Sequence, residues 1–204
     1  EIVPHQSVLA QIDSARRAAI RLNHTATHLL HAALRQVVGE QVQQKGSLVD
    51  ADRARFDFSH TQAVTIEQLE QVEAMVNDQI RANNEVCTTL MSLDQAKQSG
   101  AVALFGEKYG DDVRVLSISE FSKELCGGTH ANRTGDIGLF KITAEYGVAS
   151  GVRRIEMVTG VAALNWVNEQ INQLSQLAGA LKTTPAKASE KLLQVLQEVK
   201  QAEK

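Results

Sequence analysis

The stretch RLNHTATHLLHAALRQVV, residues 21–38, decides how the first part of the chain folds. Its apolar and small residues recur every three or four positions, which predicts a helix with one buried face. These residues are Ala26, Leu29, Leu30, Ala33, Leu34, Val37 and Val38. Residues 7–22 also have helical composition, so we expect Asn23 to cap or break the helix, and Gly39 to lie at its end.

The same helix carries a pair of histidines, His24 and His28, four residues apart. This spacing stacks both imidazoles on one face, where they can reach a common point. Such a pair alone is a weak signal, because partly buried helices carry it by chance. His31 faces roughly the same way, so spacing does not settle which histidines would bind a metal. The missing glutamate of an H-E-x-x-H motif disfavours a metalloprotease.

A second pair of candidate ligands lies in KELCGGTHANRTG, residues 123–135, where Cys126 precedes His130 by four positions. Gly127 and Gly128 between them allow backbone conformations closed to other residues, so the loop can aim both side chains inward. With the helix pair they make a set of three histidines and one cysteine. Nitrogen and sulfur donors of this kind suit a tetrahedral zinc ion.

The remaining candidate groups are expected to be structural or solvated. Glu124 and Asp136 flank the second motif and are interpreted as solvated loop charges, so no general base is identified. Cys87 lies in the apolar segment EVCTTLMSL and is expected to be a core residue. His5 and His60 are expected at the surface or at a strand end.

The pattern of the other segments predicts an α+β fold. ARFDFSH, residues 54–60, alternates aromatic and polar residues as a strand does. Thr65 and Gln68 form a capping box that opens a helix running to residue 82. Further strands are expected at 86–92, 113–119, 138–146 and 152–159. We therefore expect an antiparallel sheet covered by helices on one face.

After Gly160 the pattern changes to a heptad repeat, made by Leu164, Val167, Ile171, Leu174, Ala178 and Leu181. Thr184 and Pro185 then suit the start of another helix. The sequence thus predicts a helical hairpin or coiled-coil segment over residues 161–204. An antiparallel hairpin is favoured over an oligomer interface.

Composition excludes several classes of protein. With 204 residues and a net charge of -3, the chain is not a general duplex-coating protein, so any nucleic acid must be bound locally. Its two cysteines favour a reducing compartment, and we expect a cytoplasmic location. No apolar run is long enough to cross a membrane, and no signal peptide is recognisable. A chain that starts at Glu1 is expected to be a piece of a longer protein.

Four segments resemble, closely and in order, the editing domain of alanyl-tRNA synthetase. They are RLNHTATHLLHAAL, KGSLVDADRARFDF, ELCGGTHANRTGDIGLFKI and SGVRRIEMVTG. The resemblance implies an editing (aminoacyl-tRNA deacylase) domain over residues 1–160. Residues 161–204 resemble the start of the carboxy-terminal oligomerisation region. The editing domain of threonyl-tRNA synthetase shares both metal motifs and is the alternative, although CGGTH and SGVRRIE favour the alanine enzymes.

The resemblance also implies the site. It makes His24, His28, Cys126 and His130 ligands of zinc, and it gives Cys126 a catalytic role. Thr27 and Gln44 fall where the family has polar residues of the editing pocket. Whether zinc activates water or only positions the substrate stays open, and a non-catalytic structural zinc module is a further alternative.

The implied activity is hydrolysis of Ser-tRNA(Ala) and Gly-tRNA(Ala). A synthetic site for alanine distinguishes one methyl group or one hydroxyl by only about 10–200-fold, so a second, hydrolytic site is needed. The implied partners are the acceptor end of tRNA(Ala), other domains of a parent synthetase and a second copy of the chain bound through residues 161–204. No membrane partner is expected. Arg153 and Arg154 could meet phosphates, but neighbouring strand residues point to opposite faces, so one of them at most would do so.

Overall fold

The computed structural model describes residues 6–103 and 110–203, so His5 lies outside the described residues. The helices are α1 Ser14–Val37, α2 Ile66–Ala82, α3 Leu93–Gln98, α4 Gly160–Ala180 and α5 Ala188–Ala202. The strands are β1 Gln44–Val49, β2 Ala54–Ser59, β3 Val86–Ser92, β4 Asp112–Ile118, β5 Ser122–Leu125, β6 Phe140–Ala149 and β7 Val152–Thr159. Single 3-10 turns cover Thr134–Ile137 and Pro185–Lys187.

All pairings between strands β1 to β7 of the described residues are antiparallel, and the α+β fold class is confirmed. The strands form two sheets rather than the single sheet expected from the sequence. One sheet has the order β1-β2-β7-β6, and the other has the order β3-β4-β5. The expected strands at 86–92 and 152–159 and the helix opened by the Thr65–Gln68 capping box have the expected bounds.

Helix α1 is continuous through Asn23, so the expectation of a cap or break at that residue is wrong. The Asn23 side chain is buried, and its amide donates to the carbonyl oxygens of Asp50 and Ala51. Its own amide oxygen accepts from the hydroxyl of Thr159. With its polar atoms satisfied by neighbouring segments, asparagine need not bond its own backbone, which is the usual reason that it breaks helices.

The main core lies between α1, α2 and the four-stranded sheet. Its largest fully buried side chains include Leu29 and Leu30 of α1 and the three aromatic rings of Phe56, Phe58 and Phe140. Each such side chain stabilises the fold by about 1.5–3 kcal/mol relative to an exposed one. Because one face of α1 packs into this core, the rotation of the helix is fixed, and its other face points away from the core.

The second sheet has a smaller core, made by Ala96 of α3 with Val113, Val115 and Leu125 of β4 and β5. Strand β3 lies at the edge of this sheet, and most of its residues are exposed. Cys87 is one of them, so the expectation of a core cysteine is wrong. The apolar pattern of β3 does not lead to burial because only β4 flanks this strand.

Residues up to Ala162 and residues from Ala163 onward form two compact units. In the second unit α4 and α5 form, and three heptad residues are exposed: Leu164 is 53%, Ile171 55% and Leu174 43% exposed. Val167 and Leu181 are half-buried, and Ala178 is buried. No helix in the described part of the chain is both long and apolar enough to span a membrane.

Candidate metal centre

Two elements of the first unit bring four candidate ligands together. Helix α1 presents His24 and His28, and the loop after β5 presents Cys126 and His130. Their donor atoms all lie within 4.8 Å of one another. Cys126 Sγ is 3.5 Å from His24 Nε2 and 3.3 Å from His130 Nε2. His31, the competing histidine on α1, is not part of this cluster.

Gly128 allows the loop to approach α1 closely. A Cβ atom on Gly128 would lie 2.2 Å from the His24 ring, which is a collision, whereas one on Gly127 would meet nothing within 4 Å. Neither glycine has a positive φ. The expectation that they supply backbone conformations closed to other residues is therefore wrong, and lack of a side chain at Gly128 is the physical requirement.

All three histidines of the cluster use Nδ1 for a hydrogen bond away from it. His24 Nδ1 lies 3.2 Å from the carbonyl oxygen of Thr129, which can only accept, so this nitrogen carries the proton. His130 Nδ1 lies 3.3 Å from the Thr25 hydroxyl, which itself donates to the Arg21 carbonyl oxygen. His28 Nδ1 lies 2.8 Å from a Glu124 carboxylate oxygen.

This pattern leaves the three Nε2 atoms for a common ligand. Buried His28 Nε2 has no hydrogen-bond partner among the described residues, which is unusual for a nitrogen shielded from water. Three imidazole nitrogens with one sulfur are a donor set that zinc accepts in tetrahedral sites. The residues present therefore fit a zinc ion held by His24, His28, Cys126 and His130.

Glu124 is the functional residue that sequence reasoning missed. It is buried, with 4% of its surface exposed, and its two carboxylate oxygens accept from His28 Nδ1 and His31 Nδ1. The expectation of a solvated loop charge is wrong because β5 carries Glu124 to the face that meets α1. Strand alternation was the available signal: Glu124 lies two residues after Ser122, so both side chains lie on the same face of β5. The Ser122 hydroxyl also donates to the Glu124 carboxylate. Asp136, by contrast, is exposed in the 3-10 turn and accepts from the backbone N–H of Arg133.

Charges within the site stabilise one another. Burial alone would raise the pKa of Glu124, but the facing His28 and His31 outweigh it and lower that pKa to about 2. Burial disfavours charge on His28, yet Glu124 and Cys126 raise the pKa of its imidazole to about 10. Burial also opposes a Cys126 thiolate, but hydrogen bonds from His130 and His24 and the nearby charge of His28 lower the thiol pKa to about 3. In the metal-free protein the thiolate that a metal requires is thus already formed.

The two candidate pocket residues lie on different elements. Thr27 is buried on α1 beside His28, and its hydroxyl donates to the Asn23 carbonyl oxygen. Gln44 is half-buried and opens β1, a strand that the sequence did not reveal, and its amide donates to the Ser47 hydroxyl. Among the described residues no hydrogen bond joins either side chain to the four-residue cluster.

The two adjacent arginines of β7 are engaged elsewhere. Arg153 donates through two nitrogens to the Glu145 carboxylate, and Arg154 does the same to Asp57. Paired carboxylates neutralise both guanidinium groups. The expectation that one of them meets phosphates therefore lacks support from the geometry.

Comparison with known proteins places these residues in a family. Residues 113–156 match the model of the "Threonyl and Alanyl tRNA synthetase second additional domain", a range that contains Cys126 and His130. Over 204 residues, all of this chain, it is 66% identical to an alanine--tRNA ligase of Legionella pneumophila (strain Lens), covering 24% of that protein. It is 58% identical over 198 residues to the Idiomarina loihiensis enzyme, covering 97% of this chain and 23% of that protein.

A third relative, the alanine--tRNA ligase of Nitrosococcus oceani, is 59% identical over 198 residues, which are 97% of this chain and 23% of that protein. The chain thus spans about a quarter of the length of these relatives. The chain belongs to the alanine--tRNA ligase family, and it corresponds to the segment that contains the second additional domain.

Proposed function

We propose that the first unit is a hydrolytic editing domain, an aminoacyl-tRNA deacylase that releases serine or glycine from wrongly charged tRNA(Ala). The observation that carries this proposal is the convergence of His24, His28, Cys126 and His130, with donor atoms within 4.8 Å of one another. This cluster lies in a chain that shares 66% identity over its whole length with an alanine--tRNA ligase.

A zinc ion is the cofactor that we propose for the cluster. When bound, it would either lower the pKa of a water molecule that attacks the ester or position the end of the substrate, and the first role requires one of the four protein ligands to leave a coordination position open. The chain's own residues prepare its site: Cys126 supplies the thiolate, and Glu124 holds a proton on His28 Nδ1, so that Nε2 is the nitrogen that binds the metal once its own proton is released. These groups act as a unit, so loss of one is expected to weaken the whole site.

Selectivity is assigned to Thr27 and Gln44. Serine differs from alanine by one hydroxyl group, and a site built to bond a hydroxyl rejects an analogue without it by roughly 10⁴-fold or more. Buried Thr27 keeps acceptor capacity while it donates to Asn23, and Gln44 has an amide at the start of β1. Glycine lacks the hydroxyl, so we propose that it is accepted where the methyl group of alanine is poorly placed.

Two other functions are compatible with the same cluster of ligands. A threonyl-tRNA synthetase-like editing domain would share the family model, but the 66%, 58% and 59% identities to alanine--tRNA ligases favour the alanine substrate. A purely structural zinc module would use the same closed set of four protein ligands, and it predicts zinc binding without hydrolysis of any ester.

The proposed partners follow from the same assignment. They are the acceptor end of tRNA(Ala), other domains of a parent synthetase and a second copy of the chain through residues 161–204. A cytoplasmic location is proposed because an exposed thiol at Cys87 and a thiolate at Cys126 suit a reducing compartment.

The test compares initial hydrolysis rates of seryl, glycyl and alanyl esters on one tRNA(Ala), with zinc content measured on the same sample. We expect about one zinc ion per chain, hydrolysis of the seryl and glycyl esters, and sparing of the alanyl ester. Replacing Gln44 with Ala should change the ratio of seryl to alanyl rates rather than lower every rate equally. Equal rates on the seryl and alanyl esters would exclude editing, and faster hydrolysis on threonine-specific tRNA would favour the threonyl alternative.

A further inference from the structure

An arginine-rich cleft adjoins the metal centre. It has a volume of about 290 Å³, and its lining includes three arginines, Arg17 and Arg21 from α1 and Arg114 from β4. Its other polar lining residues are Thr88, Thr129, His130 and Asn132. Because His130 also belongs to the four-residue cluster, the cleft opens beside the proposed reaction centre.

Helix geometry explains why the arginines and the candidate ligands share this side of the molecule. Arg17, Arg21, His24 and His28 follow one another at intervals of four, three and four residues, which places them on one face of α1. Along that face the arginines precede the histidines. A chain bound in the cleft would therefore pass the arginines before its end reaches the cluster.

The cleft arginines lack the carboxylate partners that neutralise other arginines of the protein. Arg16 pairs with Asp50, Arg153 with Glu145 and Arg154 with Asp57. Within the described ranges, none of the three cleft arginines forms an ion pair, and no aspartate or glutamate lines the cleft. Their positive charge is thus available to an anion.

Contacts to the ligand-bearing loop account for only part of the hydrogen-bonding capacity of these arginines. Arg21 donates to the carbonyl oxygen of His130 and to the Asn132 side chain, and Arg114 donates to the carbonyl oxygen of Gly127. A guanidinium has five N–H donors, so both keep donors for a ligand. The exposed side chain of Arg17 makes no hydrogen bond to another described residue.

We propose that this cleft binds backbone phosphates of the single-stranded 3′ end of a tRNA. The inference rests on the proposed function, since it places the terminal ester at the metal centre. Planar guanidinium groups match phosphate oxygens with paired hydrogen bonds. A local cluster of this kind also explains how a chain with net charge -3 can hold RNA. It replaces Arg153 and Arg154, whose charges are neutralised, as the phosphate contact.

The test uses Arg17→Gln, with Arg16→Gln as the matched control. These neighbours undergo the same change of charge but point about 100° apart around the helix, and only Arg17 lines the cleft. The dissociation constant of fluorescently labelled, uncharged tRNA(Ala) is measured by anisotropy over a series of salt concentrations. We expect Arg17→Gln to raise it several-fold and to reduce the slope of log Kd against log salt by about 0.7, the loss of one single-strand phosphate contact. Arg16→Gln should bind as the unmodified chain does.

A second variant and a second substrate separate this inference from the proposed function. Arg114→Gln should also weaken tRNA binding while zinc content stays at the unmodified level, since its bond to the loop is a single one. In hydrolysis, Arg17→Gln should raise KM more for seryl-tRNA than for a seryl ester of adenosine, which has no backbone phosphate. Unchanged affinity and salt slope in both variants would overturn the phosphate site even if editing occurs. Weaker binding by both variants would support it even if the unmodified chain hydrolyses nothing.

Discussion

At the scale of single residues, Glu124 does most to organise the candidate metal centre. One carboxylate accepts from His28 Nδ1 at 2.8 Å and from His31 Nδ1 at 3.1 Å, and all three side chains are buried. The hydrogen bond to His28 Nδ1 fixes the orientation of the imidazole ring, so that Nε2 points toward Cys126. His31, which spacing alone offered as a ligand, instead helps to hold the carboxylate.

Replacement of Glu124 should therefore weaken zinc binding without removing a ligand. We expect Glu124→Ala to lower zinc affinity by about 10–100-fold, the usual effect of removing a carboxylate that orients a ligating histidine. Glu124→Gln should fall between it and the unmodified chain, because the amide keeps one acceptor oxygen. Competition with a chromophoric chelator measures the affinity. Exposed Glu120→Gln serves as the control, and equal affinities in all four proteins would contradict this role.

Cys126 is the only sulfur in the cluster, and its removal tests the catalytic role assigned to it. Cys126→Ala should leave the sheets and long helices folded, because the residue lies in a loop between elements. Hydrolysis of seryl-tRNA should fall by about 100-fold or more, as expected for loss of a principal electrostatic element. Exposed Cys87→Ala, on edge strand β3, should change neither stability nor rate appreciably. A normal rate in Cys126→Ala would remove this residue from the site.

The shifted pKa values predict how the stability of the metal-free protein depends on pH. Folding lowers the pKa of Glu124 from 4.5 to about 2 and the pKa of Cys126 from 9.0 to about 3. Each lowered pKa stabilises the folded protein fully above the ordinary pKa, and this stabilisation is lost as pH falls through the pKa of the folded state. The raised value at His28 (6.5 to about 10) gives stabilisation that is present below 6.5 and lost as pH rises through about 10. The lowered pKa of His130 acts in the same direction as Cys126 below 6.5.

Together these groups should make the free energy of unfolding rise from about pH 2 to 6.5, stay level to about pH 9 and fall above that pH. It stays level between pH 6.5 and 9 because the opposite effects of Cys126 and His28 cancel there. Urea unfolding of chelator-treated protein at a series of pH values measures this. In Glu124→Gln the rise below pH 4.5 should be smaller, whereas an identical profile would show that the carboxylate is not ionised in the folded protein.

At the scale of elements, sequence patterns predicted the helices and strands that are long enough to show a periodic pattern. The heptad helices, the α2 capping box and β3 and β7 have strong local signals, and all of them form. Strand β5 has four residues and α3 has six, too few to show a period, and β1 contains a glycine and few apolar residues. Missing β5 is what made Glu124 look like a loop charge. Local spacing offered the four candidate ligands with His31 as a competitor, and the family resemblance chose among them, whereas the role of the carboxylate depends on which strand lies against α1.

The continuity of α1 through Asn23 depends on contacts that are distant in sequence. Because its amide satisfies the carbonyl oxygens of Asp50 and Ala51 in a buried place, Asn23→Ala should lower the free energy of unfolding by about 1–3 kcal/mol. Chemical denaturation with helix content followed by circular dichroism measures the effect. Gln36→Ala, an exposed change on the same helix, should alter stability little. Higher stability in Asn23→Ala would mean that the asparagine does interrupt the helix, as its residue type suggests.

At the scale of the whole molecule, the chain divides its tasks between two compact units. The first unit contains the complete four-residue cluster, the Glu124 network and the arginine cleft. The second unit contributes none of these residues and instead presents a heptad seam in which Leu164, Ile171 and Leu174 are about half exposed. An exposed apolar seam of this period is typical of a surface that another helix covers.

Deletion of residues 163–204 should therefore separate hydrolysis from self-association. The shortened chain keeps every residue of the proposed site, so it should bind zinc and retain most of the seryl-tRNA hydrolysis rate. Analytical ultracentrifugation should show association of the unmodified chain at high concentration and a monomer after the deletion.

Point variants in the full chain control for the change in length. Ile171→Glu combined with Leu174→Glu places two charges in the seam and should abolish association while the hydrolysis rate is kept, since charge in an apolar helix interface costs several kcal/mol. Gln173→Glu, exposed on the same helix but outside the heptad positions, should associate as the unmodified chain does. If association survives the double substitution, another surface carries it. If hydrolysis is lost with the seam alone, the site requires a second copy, and the assignment of all catalytic residues to the first unit is wrong.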